Sequence, residues 1–161
     1  METGELRNRL CYWYSAKKSE EFITMRILYA ASEARPFAAS GGLADVAGSL
    51  PKALCAAGEE ACVVMPYYVN SFKPEQKEKM NYITNFTVPV GWRSQYCGLF
   101  SQQVDGVTYF FIDNEFYFKR DNGLYGYYDD AERYVFFSRA VLEMLKYIQF
   151  KPQVINSNDW Q

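Results

Sequence analysis

Apolar residues come in two short unbroken runs, Ile27–Ala31 and Cys62–Met65, and between them recur at one-face helical spacing as Leu43, Val46, Ala47, Leu50 and Leu54. An uninterrupted apolar run of this length predicts a strand buried on both faces of a parallel sheet, and the stripe predicts a helix beginning near Gly42. Gly58 marks its stop and Glu60–Pro66 reads as the second strand, which together make a βαβ unit. Residues 67–80 are polar and charged, and Pro74 breaks any long element there, so a loop with a short helix is expected and its charge run is a solvated face. From Tyr82 to Ile112 the pattern is β-type: Ile83, Phe86, Val88 and Val90, then 96–100, then 107–112, with Asp105-Gly106 as a hairpin signal. Residues 129–149 form the clearest helix, with Asp129 or Asp130 as its cap and a stripe of Tyr134, Phe137, Val141, Leu145 and Ile148. Pro152 ends it, and 153–156 is a short parallel strand. A strand opening into Asn158-Asp159-Trp160-Gln161 should lead to a further covering helix, so the domain over 25–161 reads as truncated at its C-terminal end. Residues 1–24 carry mixed charge without periodicity; a start at Met25, an extra helix and a disordered leader all fit them.

With 161 residues, 49% hydrophobic content and net charge −2, the chain is an ordinary globular domain with room for a substantial core. No basic cluster interleaves with its aromatics, which excludes an electrostatic footprint for nucleic acid. Fourteen tyrosines and twelve phenylalanines imply an aromatic core and, secondarily, surfaces that stack on sugar rings. Cys11, Cys55, Cys62 and Cys97 lack a C-x-x-C pair and the chain has no histidine, so a zinc site of ordinary spacing is excluded and the cysteines read as reduced structural thiols. No run approaches a membrane span and no signal segment opens the chain; the cytoplasm is the expected compartment.

Gly41-Gly42 falls between the first strand and its helix, where an α/β fold meets ligands. Two explanations stand. A tight turn needing positive φ calls for glycine without any ligand; alternatively, bare backbone N–H groups at a helix start, with the Ser40 hydroxyl, suit the phosphates of a nucleotide. Asp45 in the first turn suits the helix dipole. Lys52, further along the helix, reads as a solvated surface residue. A dinucleotide-dependent oxidoreductase fails on the missing G-x-G-x-x-G turn.

The string Ser32-Glu33-Ala34-Arg35-Pro36-Phe37 followed by Gly41-Gly42-Leu43-Ala44-Asp45-Val46-Ala47-Gly48-Ser49-Leu50-Pro51 closely resembles the amino-terminal signature of the bacterial glycogen synthase and plant starch synthase family. Two further blocks resemble it in the right order: Phe111–Phe118 through Leu124–Tyr134, and Val154–Gln161. The resemblance covers 25–161. The family usually reads K-T-G-G-L where this chain has Ala39-Ser40-Gly41-Gly42-Leu43, so the lysine associated with the sugar nucleotide is absent. Asn156 stands at the family's histidine position, which leaves a neutral amide for any sugar contact.

The resemblance implies an α/β fold: a Rossmann-like parallel-sheet domain with a β-hairpin insertion, the N-terminal half of a GT-B glycosyltransferase. It implies transfer of glucose from ADP-glucose (UDP-glucose in some members) to the non-reducing end of an α-1,4-glucan, with retention. Neither a cofactor nor a metal is expected, nor a nucleic-acid or membrane partner. Asp129 matches the family's cleft aspartate and is the catalytic candidate, with a helix cap as its other explanation. Ser40, Gly41, Gly42, Asp45, Asn156, Asp159 and Trp160 are the substrate-binding candidates, with burial against the sheet the plainer expectation for the Trp160 ring. The second GT-B domain, to which most nucleotide contacts belong in the family, is missing here, so the chain alone is expected to be inactive. A non-catalytic carbohydrate-binding or regulatory module of the same fold is the alternative.

Overall fold

The computed structural model describes residues 24–161; what the sequence implied for residues 1–23, including Cys11, lies outside them. One six-stranded sheet carries the chain. Its strands are β1 (Arg26–Ala30), β2 (Glu60–Pro66), β3 (Asn81–Val90), β4 (Arg93–Val104), β5 (Val107–Asp113) and β6 (Val154–Ser157), in the spatial order β3-β4-β5-β2-β1-β6. β5, β2, β1 and β6 run parallel, while β3 and β4 are antiparallel additions at one edge. The mixed α/β, Rossmann-like class with a hairpin insertion is therefore present. Because the four parallel strands share a direction, the segments leaving β1, β2, β5 and β6 all emerge at one end of the sheet, where open α/β sheets bind ligands.

The helices are α1 (Gly42–Ala56), α2 (Pro74–Glu78), α3 (Glu115–Phe118) and α4 (Asp130–Met144). Pro74 starts α2 instead of interrupting it, since a first-turn residue needs no N–H partner. Gln76 then anchors the short helix, its Oε1 accepting from Lys73 N–H at 2.8 Å and its Nε2 donating to the Pro36 carbonyl at 3.0 Å. The hairpin signal is also met: Asp105 and Gly106 both hold positive φ, 50° and 82°, in the two-residue turn between β4 and β5.

Four local expectations are corrected. Val46 and Leu50 of α1 are exposed, and the face that packs is Ala44, Ala47, Gly48 and Pro51. Small residues bring this helix so close that a Cβ on Gly48 would stand 3.0 Å from the Arg35 carbonyl oxygen. Lys52 is not simply solvated, because its Nζ pairs with Asp105 Oδ2 of the β4–β5 turn at 2.5 Å. The last long helix stops at Met144, five residues before the expected end; tighter turns follow, and Lys151 Nζ takes up the carbonyls of Leu145 and Ile148. Asp129 does stand at the N-cap position of α4, but its side chain makes no capping bond.

The aromatic surplus is mostly core. Phe37, from the loop after β1, stacks on Phe72 at 5.1 Å and meets the edges of Tyr109 and Phe111 at 5.1 and 4.7 Å. Such pairs contribute about 0.5–1.5 kcal/mol each beyond their buried area. Cys62 and Cys97 are buried and Cys55 partly so, all as free thiols. Burial pushes Cys62 up to about 12 and raises Cys97 as well, which keeps both protonated and inert at neutral pH.

Candidate functional site

Ser32 and Glu33 follow directly from β1 and are both fully buried, an unusual place for a carboxylate. Glu33 is held there by the loop it faces: its Oε2 accepts the backbone N–H of Ser40. The Ser32 hydroxyl bonds the Tyr125 hydroxyl at 2.6 Å, which ties the end of β1 to the loop before α4.

That loop is fixed by a buried cation. Arg133 is 0% exposed; its Nε donates to the Tyr117 carbonyl at 2.7 Å, its Nη1 donates to the Leu124 carbonyl at 3.1 Å, and the same nitrogen pairs with Asp130. The rings of Phe118, Tyr127 and Tyr134 stand 5.0–5.8 Å from its guanidinium. A buried charge demands this degree of pairing, and the demand sets the path of residues 117–130. Asp130 also accepts the N–H groups of Gly126 and Tyr127, at 2.7 and 3.2 Å.

From the other side β6 delivers its last residues. The Asn158 amide donates to the Ala30 and Asn156 carbonyls at 3.2 and 3.0 Å, locking the strand end onto β1. Asp159 then takes φ +61°, a left-handed conformation that a non-glycine residue adopts at a cost of about 1–2 kcal/mol, and its Oδ1 accepts its neighbour's N–H at 2.7 Å. Trp160 is 61% exposed instead of buried against the sheet, with its ring 5.3 Å from Tyr134 and 6.0 Å from Tyr125. The aromatic neighbours already fill the space beneath it, so its outer side stays open.

These pieces share one electrostatic environment. Burial raises the Tyr125 phenol and, after the opposing Ser32 hydrogen bond, the nearby Glu33, Tyr134 and Asp159 raise it further. Burial likewise pushes Tyr134 up to about 12, against the lowering effect of Tyr68, whose hydroxyl lies 3.0 Å away. Both phenols are neutral at physiological pH and act as hydrogen-bonding groups.

The glycine loop has a property that separates its two explanations. Neither Gly41 nor Gly42 holds positive φ, and Gly41 is extended at φ −159°. A Cβ on Gly42 would meet nothing within 4 Å, and one on Gly41 only the Glu33 Oε1 at 3.8 Å. Neither backbone strain nor crowding within this chain calls for glycine. The first turn of α1 also lacks a side-chain cap, so its leading N–H groups have no side-chain acceptor.

The remaining candidates sit differently. Asp45 is exposed and paired with Arg35. Asn156 lies on β6 opposite Tyr29 of β1, half-buried. Asp129 is turned toward α3: its Oδ2 pairs with Arg120 Nη2 at 2.6 Å, and its buried Oδ1 has no protein partner. The structure thus brings Ser40, Gly41, Asp159 and Trp160 toward Glu33 and Tyr125, and joins Asp129 to a neighbouring network. Glu33, Ser32 and Tyr125 lie in the signature blocks but were not among the candidate site residues, although a polar pair just after an apolar strand was a visible signal for the first two.

The starch synthase catalytic domain, as a family, matches residues 26–161. The chain belongs to that family. It is 55% identical over 137 residues to the glycogen synthase of Clostridium botulinum (strain Eklund 17B / Type B), covering 85% of this chain and 28% of that protein. It is 57% identical over 136 residues to the glycogen synthase of Geobacillus stearothermophilus, covering 84% and 28%. Among solved structures it matches the catalytic domain of starch synthase IV from Arabidopsis thaliana, bound to ADP and acarbose, with TM-score 0.75, 28% identity and coverage of 85% of this chain and 28% of that one. The chain therefore spans just over a quarter of the length of these relatives. Among its described residues no helix is long and apolar enough to cross a membrane.

Proposed function

We propose that this chain is the donor-facing and acceptor-facing part of the first half of a glucosyltransferase, one that moves glucose from ADP-glucose to the non-reducing end of an α-1,4-glucan with retention. The carrying observation is the glycine pair that the fold does not require: room beside Gly42 and N–H groups at the start of α1 without a side-chain cap match the approach of a diphosphate. The relatives named glycogen synthase and the starch synthase bound to ADP and acarbose support the same substrate classes.

In this reading Gly41, Gly42 and the Ser40 hydroxyl receive the diphosphate, while Asp45, held by Arg35, sits on the first turn behind them. Asp159, Asn156 and Trp160 at the end of β6 receive the sugar. The left-handed turn at Asp159, held by its own carboxylate on the Trp160 N–H, sets where the β6 end presents both residues. Asp129 acts at the margin of the cleft with its charge offset by Arg120. Departure of a nucleoside diphosphate needs positive charge or N–H donors in a water-poor site, and Ala39 supplies no charge here. The clamp belongs to the second domain of the GT-B pair, so the isolated chain binds without catalysing, needs no metal, and works in the cytoplasm.

A carbohydrate-binding module without catalysis is favoured by one observation, the combined absence of a cation at Ala39 and an imidazole at Asn156. Calorimetric titration of the chain with ADP-glucose and, separately, maltoheptaose tests the two readings. Binding of both supports the half-enzyme, glucan binding alone supports the module, and failure of both overturns the assignment of Ser40–Gly42 and of the β6 end.

A further inference from the structure

The loop that carries Ser40 and the glycine pair is gripped from a second side. The connection from β2 through α2, residues 67–78, meets this loop at two points. Phe72 stacks on Phe37 at 5.1 Å and also meets the edges of Tyr67 and Phe111, at 4.8 and 5.2 Å, so the root of the connection is fixed in the core. One helical turn on, Gln76 donates from Nε2 to the Pro36 carbonyl at 3.0 Å and accepts the Lys73 N–H on Oε1 at 2.8 Å. Its partners fix which way the amide points, because a carbonyl only accepts and a backbone N–H only donates. The carbonyls just before Pro36 have partners of their own. Ala34 O accepts the N–H groups of Phe37 and Ala38, at 3.0 and 3.2 Å, and Arg35 O accepts the Tyr109 hydroxyl at 3.3 Å.

We infer that Gln76 is a positioning residue for the donor loop: through the Pro36 carbonyl it sets where Ser40, Gly41 and Gly42 present their N–H groups. This rests on the donor reading above. Glu33 ties the loop at Ser40 and Gln76 ties it at Pro36, so the backbone between them is held at both ends. With no side chain at 41 or 42 and nothing within 4 Å of a Cβ on Gly42, the path of the loop depends on such outside ties. Releasing the Pro36 end lets Ser40–Gly42 sample more positions, and a ligand that needs one of them loses affinity as that position becomes less populated. Gln76 itself touches no substrate in this scheme. The same side chain also caps α2, which is the competing, purely structural explanation, and the two bonds can be separated. In Gln76→Glu a carboxylate oxygen still accepts the Lys73 N–H while nothing donates to Pro36; in Gln76→Ala both bonds are lost.

The test is calorimetric titration of the 161-residue chain and both variants with ADP-glucose and with maltoheptaose, alongside hydrogen exchange at the Ser40 amide. Loss of one hydrogen bond of this kind predicts ADP-glucose binding weakened about two- to tenfold in both variants, with maltoheptaose affinity unchanged and Ser40 exchange quickened by a similar factor. The urea midpoint should fall for Gln76→Ala and stay near the parent for Gln76→Glu, which separates loop positioning from the α2 cap. A Gln76→Glu chain that binds ADP-glucose like the parent, or protects Ser40 like the parent, overturns the proposal. So does an equal loss of maltoheptaose affinity, the mark of a general loosening of the fold. If the parent chain binds no ADP-glucose the donor reading fails instead, and Ser40 exchange in Gln76→Glu still decides whether Gln76 holds the loop.

Discussion

Glu33 reaches from the end of β1 across the glycine loop, and its buried carboxylate accepts the backbone N–H of Ser40. The loop's own first donor is therefore spent internally, which leaves the amides of the α1 start and the Ser40 hydroxyl for a ligand. A buried charge-assisted bond of this kind contributes about 1.5–3 kcal/mol. Glu33→Ala should lower stability by about 2 kcal/mol in urea denaturation and expose the Ser40 amide to hydrogen exchange. Glu33→Gln keeps an acceptor of the same shape and should retain most of both. An Ala variant as stable as the parent would remove Glu33 from its role as the loop's anchor.

Restoring charge to the loop should strengthen donor binding. Ala39 is exposed, so a lysine there displaces nothing. A cation on a diphosphate is worth enough to tighten binding about tenfold, or about 1.4 kcal/mol. Ala39→Lys should show this for ADP-glucose by calorimetry while leaving maltoheptaose affinity alone. An unchanged ADP-glucose affinity would place the diphosphate elsewhere.

At Gly48 two opposing effects have to be weighed. Alanine in place of glycine inside a helix ordinarily stabilises by about 0.5–1 kcal/mol. Here the new Cβ would lie 3.0 Å from both the Cβ and the carbonyl oxygen of Arg35, and that carbonyl also accepts the Tyr109 hydroxyl at 3.3 Å. Overpacking against backbone costs about 1–3 kcal/mol, so it outweighs the helical gain. Gly48→Ala should lower the urea midpoint, and a raised midpoint would mean that α1 has slack against the 31–38 loop.

Asp113 ends β5 with its carboxylate over Gly98, and burial first, then neighbouring Glu115, raises its pKa above the ordinary carboxylate value. The folded chain thus holds this proton more tightly than the unfolded chain. Its contribution to stability is complete below the unperturbed carboxylate value of about 3.9 and is lost as pH rises through the raised folded value. Asp113→Asn should accordingly raise Tm at pH 7, with the difference shrinking toward acid. A Tm difference independent of pH would show that the carboxylate titrates normally in the fold.

The cleft was legible in part because its signals are local. Ser40-Gly41-Gly42 lies between an apolar strand and a helical stripe, and Asn158-Asp159-Trp160 directly follows a short strand, so both could be placed at strand ends from spacing alone. Glu33 and Tyr125 were not legible as a pair, because they are 92 positions apart and meet only through the folded loop. The α1 stripe misled for a related reason: hydrophobicity favours Val46 and Leu50, whereas close approach to Arg35 favours Ala44, Ala47 and Gly48.

The sequence by itself determined the βαβ start, the hairpin at Asp105-Gly106, the α4 region and the family signature, since each depends on periodicity or turn chemistry within a few neighbouring residues. Only the tertiary structure decided which carboxylates face the cleft. Asp129 and Asp130 both looked like caps, yet a buried Arg133 captures one and Arg120 the other, while Glu33 and Asp159 are brought toward the same phenol. That choice depends on desolvated charges finding partners across the fold, and no linear pattern records where those partners will be.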